Sequence, residues 1–82
     1  MSIKRKKLNE LKRNEAGHVS GFGAQNDAMV IKLREIGFAE GDEVEILDRG
    51  LLGGTPISVR LNQTIIALRI KEASLVEVET KA

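Results

Sequence analysis

Two hydrophobic rhythms alternate along this chain. Between Met29 and Ile36 the apolar positions recur at helical spacing. Met29, Leu33 and Ile36 fall at i, i+4 and i+7, while Lys32, Arg34 and Glu35 lie mostly off that stripe. Asn26 or Asp27 stands where an N-cap belongs, and Gly37 supplies the left-handed residue that stops the helix, with Phe38 folding back on its last turn. From Asp42 the period becomes two. Val44 and Ile46 alternate with Glu43, Glu45 and Leu47; Ile57, Val59 and Leu61 alternate with Ser58, Arg60 and Asn62. Asn62-Gln63 reads as a hairpin turn into a strand with Ile66 and Leu68 inward and Ile65, Ala67 and Arg69 outward. Ile70 to Ala73 fits one helical or 3₁₀ turn, and Val76 and Val78 mark a last strand whose Glu77 and Glu79 face water.

The N-terminal half is less regular. Leu8 and Leu11 are one helical turn apart, and Asn14-Glu15-Ala16-Gly17 is a turn signal. Gly17 to Gly23 reads as a glycine-weakened strand with Val19 on one face and His18, Ser20 and Phe22 on the other. The pattern predicts five short strands and one short α-helix inserted after the first. Short strands at regular spacing imply a barrel or a sandwich, and only a small β-barrel fits 82 residues. Residues 1–7, with the cations Lys4 to Lys7, read as a flexible basic tail, residues 8–79 as the folded domain and residues 80–82 as a second tail.

Composition narrows the function. The balance of 13 Lys and Arg against 12 Asp and Glu leaves a net charge of +1, and the aromatics are Phe22 and Phe38 alone. Neither a basic field nor stacking platforms are available for nucleic acid, and a proline-peptide groove lacks its rings. Without cysteine there are no disulfides, thiolate metal sites or thiol nucleophiles. No apolar run is long enough to cross a bilayer, and the charged N-terminus lacks the apolar stretch of a secretory signal, so the expectation is a cytoplasmic protein without direct membrane insertion.

Candidate chemistry is sparse. His18 is the sole imidazole, and a specific transition-metal site takes three or four convergent donors, so no resident metal or other cofactor is expected beyond weak transition-metal ion binding. Glu43, Glu45 and Asp48 share a strand, where a solvated face explains them better than acid–base chemistry. The glycine-rich stretch from Gly50 to Pro56 lacks the Lys-Ser/Thr ending of a phosphate loop. It is either a plain connection or a partner-docking loop, and adjacent leucines there make Leu51, Leu52, Gly53, Gly54, Thr55 and Pro56 the candidate partner-binding residues. Nothing assembles a catalytic set, so the chain is not expected to be an enzyme.

The ordered set Leu8-x-x-Leu11, Gly17-x-Val19, Leu33-Arg34-Glu35-Ile36-Gly37-Phe38, Gly41-Asp42-x-Val44, Leu52-Gly53-Gly54-Thr55-Pro56-Ile57 and Leu68-Arg69-x-x-x-Ala73-x-x-Val76-x-Val78 resembles the FeoA family, small cytosolic accessory proteins of bacterial ferrous-iron uptake. The family often has an aspartate where Thr55 precedes the proline, and the basic residues 4–7 extend beyond its usual start. The resemblance implies an SH3-like β-barrel and a role beside FeoB, the membrane transporter with a cytosolic G-protein domain. The same barrel occurs as the C-terminal module of DtxR-type metal-dependent repressors, so the alternative is a stand-alone interaction or sensor module.

Overall fold

The alternating segments become strands because each can place one side on a core while its backbone joins a ladder. The computed structural model describes residues 2–24, 27–50 and 54–81. Its elements are β1 (Ile3–Lys7), a 3₁₀ turn (Leu8–Glu10), β2 (Ala16–Phe22), α1 (Ala28–Ile36), β3 (Glu43–Gly50), β4 (Gly54–Leu61), β5 (Thr64–Leu68), α2 (Ile70–Ala73) and β6 (Val76–Lys81). The strands form one antiparallel sheet in the order β1-β6-β2-β3-β4-β5. Among the described residues no ladder joins β1 to β5. The sheet is therefore open, with two edges, where the sequence pattern predicted a closed barrel.

Val44 and Ile46, Ile57, Val59 and Leu61, Leu68, and Val76 and Val78 all turn to one face and are buried. Leu8 and Leu11 from the 3₁₀ turn and its exit close one part of that core; Val30, Leu33 and Phe38 contribute the helical part. Asp27 caps α1 by accepting from the Met29 N–H at 2.7 Å. At the other end Gly37 has φ +130°, and the Phe38 N–H donates to the Leu33 carbonyl at 3.0 Å, which tucks the Phe38 ring under the helix.

Four details depart from the pattern. Residues 3–7 are not a tail: they pair along β6 from Ile3↔Lys81 to Lys7↔Glu77. Hydrophobic periodicity cannot reveal a strand made of Lys4 to Lys7, because it is held by its backbone ladder and by the Arg5–Glu79 and Lys6–Glu15 pairs, both at 3.1 Å. Thr80 and Lys81 likewise belong to β6, with Thr80 buried. Phe22 is buried on the face of Val19, because the register slips by one residue between Val19↔Val78 and Gly21↔Glu77; this bulge flips every later side chain. In α1 the inward pair is Val30 and Leu33, while Met29 and Ile36 stay 38% and 41% exposed. The run Met29-Val30-Ile31 is apolar on all sides, so its spacing alone admits two faces.

Two arginines tie the irregular segments down. The Arg34 guanidinium lies 4.3 Å over the Phe22 ring and grips Glu40 with two bonds of 3.1 Å. That grip holds the Glu40 carboxyl below the usual glutamate range. A second bulge, between Ile46 and Asp48, turns Arg49 towards the buried side opposite Ile57. There its Nη2 donates to the carbonyls of Asn9, at 2.7 Å, and Leu11, which the 3₁₀ turn leaves without helical partners.

Candidate functional site

The candidate partner loop sits at the tip of the β3–β4 hairpin. Leu51, Leu52 and Gly53 lie outside the described residues. Gly54 opens β4 and pairs with Gly50; beyond it Thr55 is half-buried and Pro56 exposed. The neck is narrow. A Cβ on Gly50 would run into the backbone carbonyl of Thr55, so glycine is required there by space alone. From Ile57 onward β4 is anchored in the core, and the stem of the loop is firmly placed.

The register creates a second site that the sequence did not reveal. On the outer face His18 of β2 lies directly opposite Glu43 of β3 and Glu79 of β6. In the adjacent row Ala16 faces Glu45, which faces Arg60, and Lys81 faces Ile3 on β1. A shallow groove of about 570 Å³ runs over these residues, with Ala16 and Gly17 as its low floor and charged side chains as its walls. Gly17 contributes backbone to that floor, and its own missing Cβ would point to the core side, where β6 presses against it: it would fall 2.6 Å from the Glu79 carbonyl oxygen.

The groove's carboxylates are largely committed. Glu45 pairs with Arg60, and Glu79 with Arg5. Glu15 accepts from the Lys12 N–H at 2.8 Å and from Lys6 Nζ at 3.1 Å. The Lys12 hydrogen bond above all, then the Lys6 ammonium, holds the Glu15 carboxyl below the usual range, against an opposing push from burial. Glu43 and Glu45, read from the sequence as a solvated acidic face, are exposed and half-exposed, and His18 is exposed beside them. Among the described residues no three His, Asp or Glu side chains approach closely enough to hold a metal ion. Alternating charges along β3 and β6 were visible in the sequence; which of them share a row with His18 of β2 depends on the ladder register.

Among the described residues no helix is long and apolar enough to cross a membrane. No functionally curated protein matches the chain. Solved structures do. Stenotrophomonas maltophilia FeoA, crystallised with zinc and described as a prokaryotic SH3-domain protein, is 36% identical over 90% of this chain and 94% of its own, with a TM-score of 0.76. A FeoA-like protein from Clostridium acetobutylicum is 28% identical over 100% of this chain and 92% of its own, with a TM-score of 0.85. A manganese-dependent transcriptional repressor shares the fold over 99% of this chain and 44% of its own, at 20% identity and a TM-score of 0.83. The FeoA domain profile matches residues 6–80, from the middle of β1 into β6, so by sequence and by fold the chain belongs to the FeoA family.

Proposed function

We propose that this protein is a non-enzymatic accessory of bacterial ferrous-iron uptake that docks on the cytosolic part of a FeoB-type membrane GTPase transporter. The family match over residues 6–80 carries this reading. The S. maltophilia relative, itself described as a candidate ferrous-iron transport activating factor, supports it. The docking element is the hairpin tip, Leu51, Leu52, Gly53, Gly54, Thr55 and Pro56. Its stem is held by the Gly50–Gly54 neck and the buried Ile57, and its two leucines supply the apolar contact. A rigid stem lowers the entropy cost of binding a partner. Binding one conformation of the transporter better than another biases its cycle without chemistry in this chain. Iron is cargo in this scheme, not a resident cofactor.

The test is an NMR titration of the labelled chain with the cytosolic domain of FeoB from the same organism. Shifts confined to residues 51–56 are expected, and replacing Leu51 and Leu52 by alanine should weaken the complex while the rest of the spectrum stays in place. Unchanged binding by that double variant removes the loop from the scheme. The rival, a stand-alone sensor or interaction module akin to the repressor barrels, rests on fold alone at 20% identity. It gains priority if the transporter domain shifts nothing while a transcription factor does.

A further inference from the structure

The two edges of the sheet are guarded differently. β1 carries Lys4, Arg5, Lys6 and Lys7, the kind of charge that stops an edge from adding another strand. β5, at the other end, reads Thr64-Ile65-Ile66-Ala67-Leu68. In a chain that is 30% charged, this edge has no charge, no proline and no bulge. Ile65 is 67% exposed, and Ala67 is exposed beside it.

The hairpin fixes which backbone groups are free. A two-residue turn at Asn62 and Gln63 makes Leu61 and Thr64 the closing hydrogen-bonded pair. Antiparallel alternation then points the N–H and C=O groups of Thr64, Ile66 and Leu68 at β4, and those of Ile65 and Ala67 away from it. Among the described residues, no backbone hydrogen bond outside the sheet and helices uses Ile65 or Ala67.

We propose that β5 is a homodimerisation edge, at which a second copy of this chain adds its own β5 in antiparallel register about a twofold axis through Ile66. The strand is self-complementary in that register. Ile65 of one copy meets Ala67 of the other, and each such pair exchanges both N–H···O bonds. Ile66 meets its equivalent on the core side, where it is already half-buried. No charge opposes a like charge, whereas the same operation on β1 sets cations against cations. The contact is isologous, so it closes at two copies. A single added strand pair is small against the roughly 1,000 Å² of a persistent interface, so the dimer forms at high protein concentration. This inference is independent of the hairpin-tip docking described above.

Sedimentation equilibrium of the full chain from micromolar to millimolar concentration tests it. A monomer–dimer equilibrium is expected. Ile65→Lys should weaken it about tenfold, since the substitution acts twice in a twofold dimer, and Ala67→Glu should do the same. Both sites are exposed, so each variant folds, which far-UV circular dichroism verifies. The double variant sets each new ammonium opposite a new carboxylate and should regain most of the association. A chain that stays monomeric at millimolar concentration overturns the proposal, as does association that Ile65→Lys leaves intact or that the double variant fails to restore. Loss of transporter binding in Ile65→Lys without self-association in the parent assigns the edge to a partner's strand instead, and equally overturns it.

Discussion

Adding one methyl group at Gly17 should destabilise this protein, while the same change six residues later should not. Gly17 lies in β2 opposite Val44 with β6 hard against its other side. An ideal Cβ there falls 2.6 Å from the Glu79 carbonyl oxygen, 2.6 Å from Val78 Cγ1 and 2.9 Å from Thr80 Cγ2. Carbon atoms pack comfortably at roughly 3.5–4.0 Å, so β2 and β6 would have to part by most of an ångström. One of the clashing atoms is backbone and cannot rotate away. Overpacking of this kind costs about 1–3 kcal/mol, and the upper end applies. Against it, alanine removes unfolded-state freedom worth about 0.4–1 kcal/mol. The net loss for Gly17→Ala is then about 2 kcal/mol, a large part of the roughly 4–12 kcal/mol that a chain of 82 residues commands, and it lowers Tm by about 10 °C. Gly23 is the control. It has no positive φ, and the nearest atom to its Cβ is Leu75 Cδ2 at 3.7 Å, so Gly23→Ala should be neutral or stabilising by about 0.5 kcal/mol. Urea unfolding followed by far-UV circular dichroism measures both, which suits a chain without Trp or Tyr. A Gly17→Ala midpoint equal to that of the parent would refute the close approach of β6 to β2.

Two further outcomes follow from the packing and the charges. Val30→Ala should cost about 2 kcal/mol and Met29→Ala well under about 1 kcal/mol, because Val30 is buried and Met29 is 38% exposed; equal losses in thermal melts would mean that the helix presents the other face. Glu15 has its folded pKa held below the ordinary 4.5, so its stabilisation is present above that value and is lost as pH falls from 4.5 through the lowered folded value. Glu15→Gln should therefore be less stable than the parent at neutral pH, with the gap narrowing on acidification below 4.5; a gap constant from pH 7 to pH 3 in urea titrations would remove the Lys12 and Lys6 contacts from the account.

The parts of this fold legible in the sequence are those with a local cause. Gly37 and Phe38 announce the end of α1 because a left-handed residue and a folded-back ring need only their own neighbours. Val44, Ile46, Ile57, Val59 and Leu61 declare their faces because alternation over an unbroken strand has one solution. The Asn62-Gln63 hairpin is equally local. Where the cause is distant, the pattern misleads. A strand of four successive cations has no hydrophobic period, and its membership of the sheet depends on partners in β6 at least 70 residues away. The bulge after Val19 is invisible in β2 itself, yet it decides that Phe22 enters the core and meets Arg34.

The same division holds for function. By itself, the amino-acid sequence determined the mainly β class, the lack of thiol chemistry, the near-neutral charge and the ordered residues that resemble the FeoA family. It also singled out the loop from Leu51 to Pro56, since adjacent leucines among glycines are a local signal. Tertiary structure alone decided that the sheet stays open, that His18 stands between Glu43 and Glu79, and that one edge is cationic and the other bare. Each of these depends on register and strand order, which are set by the sum of many backbone pairings and burials across the whole sheet, not by any residue's immediate neighbours.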